Sequence, residues 1–309
     1  MSDTKRVIVT GATGLIGKEL CKRLIERGYA VVVFSRDTGK ARKAVPGAAE
    51  YVAWQPAERG PWAAAIDGAH AVINLAGPSL AGKRWTEAYK RFVRDTRVIG
   101  TRGLVNAMAQ ANTKPKVFVS SSAVGYYGFR DDTKLDEGAP AGSDFLAQLC
   151  VAWEQEALKA EALGIRTVIV RSAVVLDDKE GALPQLMLPF KMFVGGPILP
   201  GTQWFSWIHL DDEVGIFMLA LEDERARGPI NASAPEPQTN RDFSKALGGA
   251  LHRPALMPVP GFALWLMVGE FSKMLTNGQR VIPKKAQELG YQFKYPTSDR
   301  ALREIAAKS

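Results

Sequence analysis

The chain has 309 residues, with 40 Lys and Arg against 32 Asp and Glu for a formal charge of +8, and 46% of its residues are hydrophobic. These are values of a soluble globular protein of one large or two modest domains, and they exclude disorder and fibrous repeats. The longest apolar stretch, Phe262 to Val268, falls well short of the roughly 20 residues that cross a bilayer, so no membrane partner is expected.

In chain order, Arg6-VIVT-Gly11 is a compact apolar run of the kind that forms a strand buried on both faces. From Gly14 to Arg27, Ile16, Leu20 and Leu24 recur at helical spacing, and Gly28 ends that helix. Further strands are expected at Ala30-VVVF-Ser35, Ala71-VINLAG, Lys116-VFVSS and Arg166-TVIVR, with helices from Trp85 to Gln110 and from Phe145 to Leu163. Strands alternating with helices predict an α/β fold, a Rossmann-type doubly wound parallel sheet. Beyond Arg171, Pro184, Pro189, Pro197 and Pro200 with Gly195, Gly196 and Gly201 predict a loop-rich stretch before a helix near Glu213 to Leu221. Pro229-INASA reads as a strand returning to the main sheet, and a short helix ends the chain. The division is a nucleotide domain over 1–175, joined by about 205–234, and a smaller, interleaved substrate domain over 176–309.

The run from Met1 enters strand-like residues with no charged start and apolar leader, and Cys21 and Cys150 cannot build a disulfide framework. Both features predict a cytoplasmic protein. His70, His209 and His252 are scattered, and no Cys or His spacing fits a metal site. The positive excess is interspersed with acids and accompanied by no nucleic-acid motif. It leaves room for a polyanionic small molecule or for nothing specific, and nucleic acid is not an expected partner.

Gly11-Ala12-Thr13-Gly14-Leu15-Ile16-Gly17 lies between the first strand and the first helix, and the placement carries its meaning. Gly11 allows the tight turn, Gly14 lets backbone approach a pyrophosphate, and Gly17 permits close helix–sheet packing. The amides at the helix start, with Leu15 and Ile16, then face the phosphates. At the end of the second strand stand Ser35 and Arg36, a hydroxyl and a guanidinium suited to the 2′-phosphate of NADP. The alternative makes Asp37 the ribose ligand and the cofactor NAD.

These residues resemble the extended branch of the short-chain dehydrogenase/reductases. The matching elements are the glycine loop, Asn74-Leu75-Ala76-Gly77, and Ser120-Ser121-Ser122-Ala123. Ala81-GKRWTEAYK, Ser122-AVGYYG, Phe205-SWIHLDD and Gly278-QRVIPKK are more specific. They are similar to an atypical NAD-dependent epimerase/dehydratase-like family whose members carry their own C-terminal domain. The resemblance implies that Leu75 and Ala76 pack along the adenosine side of the cofactor. It implies that Ser122 binds a substrate oxygen and that Val174 meets the nicotinamide end. Arg97 stands where relatives usually have Asn. With Lys90 and Arg94 it forms a basic stripe at helical spacing, and Gly100 nearby permits close approach to the phosphates.

One departure is plain. Most active relatives carry Tyr and Lys four residues apart on the helix after the serine strand, whereas Asp144-FLAQLCVAWEQEAL has neither, with Leu146 and Cys150 at those positions. Tyr126 and Tyr127 are the substitute candidates, with Arg130 near them. Cys150 is expected as a small core residue. Asp211 or Asp212 is expected to cap the helix that follows His209, and His209 to line the pocket. The expected function is an NADP(H)-dependent oxidoreductase or epimerase moving hydride to or from a hydroxyl or carbonyl carbon of a small molecule. The alternative is an NADP(H)-binding regulator without turnover. Ala255 to Leu266 serves either a homodimer contact or a cover for the pocket.

Overall fold

The computed structural model describes residues 4–57 and 59–308; Met1, Ser2 and Asp3, on which the expectation about the start of the chain partly rests, lie outside them. The alternating pattern becomes seven strands: β1 (Arg6–Thr10), β2 (Ala30–Ser35), β3 (Glu50–Ala53), β4 (Ala71–Asn74), β5 (Val117–Ala123), β6 (Arg166–Ser172) and β7 (Gly228–Ala232). They form one sheet in the order β7-β6-β5-β4-β1-β2-β3, every pairing parallel. Successive residues of β1 explain its unbroken apolar run. Val7 and Val9 join the core on one face, Ile8 joins the core on the other, and all three are fully buried. Each such side chain contributes roughly 1.5–3 kcal/mol on leaving water.

Nine helices of eight residues or more, or flanking the cofactor loop, matter below: α1 (Leu15–Glu26), α2 (Thr38–Ala44), α3 (Glu87–Gln110), α4 (Phe145–Leu158), α5 (Leu183–Lys191), α6 (Leu210–Glu222), α7 (Asn240–Leu251), α8 (Gly261–Val268) and α9 (Ser298–Ala306). Leu20 and Leu24 of α1 share one core layer with Val214 and Phe217 of α6. Leu104 and Met108 of α3 share the other with Ala157 of α4. α3 begins two residues later than its pattern suggested because Thr86 caps it, accepting from the Tyr89 amide.

The stretch expected to be loop contains α5. Pro184 sits in its first turn, where no amide partner is needed, and Pro189 lies near its end. Strand β3 and helices α2 and α7 are absent from the pattern reading. β3 is a short edge strand with no fully buried residue, and Gly248 and Gly249 dilute the helical signal of α7. β7 returns to the sheet beside β6, as the Pro229 run indicates.

Buried Asp212 ties the C-terminal part to α6, its carboxylate accepting from the amides of Lys294 and Tyr295 at 2.8 Å each and from the Tyr291 hydroxyl at 3.1 Å. A parallel pair, Arg280–Val281 on Lys134–Leu135, adds a second tie. α8 leaves Phe262, Trp265, Leu266 and Met267 exposed. Among the described residues no helix is long and apolar enough to cross a membrane.

Candidate active site

The glycine loop sits at the carboxyl edge of the sheet, where β1 turns into α1. Gly11 has φ +67°, and a Cβ on it would lie 2.7 Å from the Leu75 carbonyl carbon. A Cβ on Gly17 would lie 2.3 Å from the Gly11 oxygen, so helix and loop pack as closely as backbone allows. Among the described residues, the amides of Leu15, Ile16 and Gly17 donate to no protein group. Three free donors at a helix start form a cradle for an anion.

At the end of β2, the Ser35 hydroxyl donates to the Asp37 carbonyl at 3.1 Å. Asp37 is the N-cap of α2, its carboxylate accepting from the Lys40 amide at 2.9 Å. The acid that would favour NAD is thereby occupied with its own helix. Arg36 is exposed and unpaired among the described residues.

A buried hydrogen-bonded chain fixes the neighbouring strand ends. The Thr10 hydroxyl donates to Asn74 Oδ1 at 2.8 Å and accepts from the Leu75 and Ala76 amides at 3.2 Å. Asn74 Nδ2 and Trp153 Nε1 both donate to the Thr101 hydroxyl at 2.9 Å. The half-buried Leu75 and Ala76 are thus held against β1 beside the glycine loop.

Arg97 lies half-buried beside this chain. Its guanidinium donates to the Val93 and Pro78 carbonyls, at 3.2 and 3.0 Å, and stands 5.3 Å from the Trp153 ring centroid. A Cβ on Gly77 would fall 2.8 Å from its Cζ, so the glycine at the end of the β4 turn makes its room. No carboxylate pairs with it among the described residues, and burial draws its pKa down to about 10. The proposed basic stripe is not one surface: Lys90 is paired with Glu270 and Glu87, and Arg94 points to solvent beside Asp95.

Ser122, at the end of β5, stands directly across from Arg171 of β6. Its hydroxyl donates to Glu154 Oε1 at 2.5 Å, while Arg171 grips Glu154 with two bonds, at 2.9 and 2.8 Å. All three side chains are buried. Burial pulls the Arg171 pKa down, but the bonds and charge of Glu154 outweigh it, and the net displacement is upward. Arg171 also donates to the Tyr127 hydroxyl at 3.0 Å, and that hydroxyl donates to Asn231 Oδ1 at 2.7 Å. From the sequence alone, neither Arg171 nor Glu154 is assigned a role. A carboxylate four residues past Cys150 on an apolar helix was the available signal, since acids are buried only when paired.

The two tyrosines separate sharply. Tyr127 is fully buried, and burial pushes its pKa up to about 12, which makes it a poor proton carrier; its part is structural. Tyr126 is half-buried, its hydroxyl has no partner among the described residues, and the Arg171 guanidinium lies 3.5 Å from its ring centroid. Arg130 turns away, donating to the carbonyls of Tyr127, Pro140 and Ala141. Cys150 packs against the Ala123 carbonyl, and burial pushes its thiol up to about 12, as expected of a core cysteine.

Val174 lies half-buried just past β6, in a three-residue strand pairing with Trp207–His209. The cap of α6 corrects the sequence reading. His209 itself is the N-cap, its Nδ1 accepting from the Asp211 amide at 3.1 Å. Its ring stacks on Tyr295, and Nε2 lies 3.1 Å from Glu304, so it faces the C-terminal helix rather than the pocket.

A sequence profile of the NAD dependent epimerase/dehydratase family matches residues 7–232, and one for a domain of unknown function, DUF1731, matches residues 259–305. The chain is 40% identical over 301 residues to an Arabidopsis thaliana chloroplastic homologue of the epimerase family protein SDR39U1, covering 97% of this chain and 86% of that one. It is 37% identical over 302 residues to the Bacillus subtilis epimerase family protein YfhF, covering 97% and 98%. The crystal structure of the human epimerase family protein SDR39U1 with NADPH superimposes with a TM-score of 0.88 at 35% identity, covering 98% of this chain and all of that one. Together with the parallel sheet and its glycine loop, these matches make the chain a member of the NAD-dependent epimerase/dehydratase family, with the DUF1731 domain at its C-terminal end.

Proposed function

We propose that the protein is an NADP(H)-dependent oxidoreductase or epimerase acting on a hydroxyl or carbonyl carbon of a small molecule. The observation that carries the cofactor reading is Arg97, a half-buried guanidinium with no carboxylate partner among the described residues, set against Gly77 just past β4 on the sheet edge that also presents three free helix-start amides. A partly buried cation is costly until an anion arrives, and a dinucleotide pyrophosphate supplies one. Gly11, Gly14 and Gly17 with Leu15 and Ile16 would hold it, Leu75 and Ala76 would line the adenosine side, and Val174 would meet the nicotinamide end. Ser35 and Arg36 would take the 2′-phosphate. NADPH in the human relative's structure supports this choice.

When bound, the nicotinamide gives or takes a hydride at its C4. Within this chain, the Ser122 hydroxyl spends its proton on Glu154, so toward a substrate it is an acceptor and orients a hydroxyl. The Tyr126 hydroxyl, without a protein partner among the described residues, is the group free to move the proton, and Arg171, itself held by Glu154, packs against its ring. Tyr127 braces Arg171 from below.

The test uses NADPH deuterated at C4 with a panel of carbonyl compounds and nucleotide sugars, following label transfer by mass spectrometry. Once a substrate is found, Tyr126→Phe should lower turnover by about a hundredfold or more, while Tyr127→Phe should mainly lower the melting temperature. Full turnover in Tyr126→Phe would remove that residue from the mechanism. The regulator reading is favoured by one observation, the commitment of Ser122 and Tyr127 to internal partners. It predicts cofactor binding with no label transfer to any compound.

A further inference from the structure

Along the amino edge of the sheet, opposite the glycine loop, five neighbouring strands each begin at a basic side chain. Arg227 precedes β7, Arg166 opens β6, Lys116 precedes β5, His70 precedes β4 and Lys5 precedes β1. At about 4.8 Å between strands, the row extends over roughly 19 Å. It lines a cleft of about 590 Å³, within the usual size of small-ligand sites.

Lys5, Lys116, Arg166 and Arg227 make no ion pair among the described residues. Of the three carboxylates near them, Glu222 is shared with Arg27 at 2.8 Å and with the Tyr29 hydroxyl at 3.2 Å, and Asp223 is paired with Arg225 at 2.7 Å, leaving Glu224 as the counter-charge with no ion pair of its own among the described residues. Arg166 is not free to swing away. Its guanidinium is held by the carbonyls of Ala220, Leu221 and Ala226 at 2.7–2.9 Å, at the carboxyl end of α6, where a cation also suits the helix dipole. One fixed cation flanked by three exposed ones and a histidine outweighs the carboxylates nearby and leaves a net positive field in a concave site, and such fields concentrate anions.

We propose that this cleft is a second anion site, for a small compound carrying two or more phosphate groups. Charge spread over more than one group matches a row of cations better than a single carboxylate does. His70 gives the site a reporter and a pH dependence. Burial, with Lys5, Lys116 and Arg166 close by, holds its pKa below the ordinary value. Tyr29, Glu222, Glu224 and Arg227 complete the groups around the cleft. A bound polyanion reverses that cationic pressure, so the His70 pKa rises on binding, and binding tightens as the pH falls.

The experiment is a proton NMR titration of the whole chain with inorganic pyrophosphate at constant ionic strength, with and without NADPH. The chain has only three histidines, and His70→Gln assigns the signal. The His70 resonance should move saturably and its titration midpoint should rise, whether or not NADPH is present. Lys5→Ala with Lys116→Ala, both exposed positions, should weaken pyrophosphate about tenfold or more and leave NADPH affinity unchanged. An unmoved resonance, an equal response to chloride, or loss of the response when NADPH is added would overturn the proposal. So would an unweakened double variant, or tighter binding of a single-stranded oligonucleotide than of pyrophosphate.

Discussion

Arg97 carries a charge whose cost is borne by the protein alone and offset by a ligand. Replacing it with leucine removes that cost along with the ligand contact, so the two effects should have opposite signs. Arg97→Leu should weaken NADPH about tenfold or more in a fluorescence titration while holding or raising the melting temperature. A matched fall in both would make Arg97 a structural residue. Glu213 offers a second residue-scale test. Its carboxyl is fully buried, accepts from the Ser172 hydroxyl at 2.5 Å, and has its other oxygen unpartnered. Burial raises its pKa from 4.5 to about 8. The unfolded chain therefore loses this proton near pH 4.5 while the folded chain keeps it to about pH 8, and folding stability falls between those values. Glu213→Gln should flatten the decline of melting temperature from pH 5 to 8, and an unchanged slope would show that the carboxyl is already ionised.

The serine strand, its neighbour and α4 are joined through one ion pair. Glu154 touches both Ser122 and Arg171, and Arg171 touches Tyr126 and Tyr127, so four expected or candidate site residues share a single anchor. Glu154→Ala leaves a buried guanidinium uncompensated and should cost about 3–5 kcal/mol. Denaturant unfolding measures it, and a loss below about 1 kcal/mol would mean that Arg171 finds solvent or another acceptor. At this scale the limits of sequence reading have a physical cause. The glycine loop is legible because backbone crowding at Gly11 and Gly17 leaves no alternative residue, and the strand after it because burial on both faces demands a continuous apolar run. The Ser122–Glu154–Arg171 cluster is not, because its members lie 32 and 17 positions apart and meet only when α4 lies across β5 and β6. α5 is hidden by prolines whose positions in the first turn and near the end a helix accommodates.

The two proposed anion surfaces lie at opposite edges of one parallel sheet. The carboxyl edge has the free amides, Arg36 and Arg97; the amino edge has the basic row. The C-terminal part is held by Asp212 of α6 and by the two-stranded pairing of Arg280–Val281 with Lys134–Leu135. On the proposed reading, the carboxyl edge binds NADP(H) in preference to NAD(H). The most direct measurement is a pair of fluorescence titrations, NADPH and NADH, on the purified chain and on Arg36→Asp. NADPH should bind at least about tenfold tighter to the unaltered chain, and the charge reversal should abolish that margin while sparing NADH. Equal affinities in the unaltered chain, or a preference for NADPH that survives Arg36→Asp, would contradict the assignment.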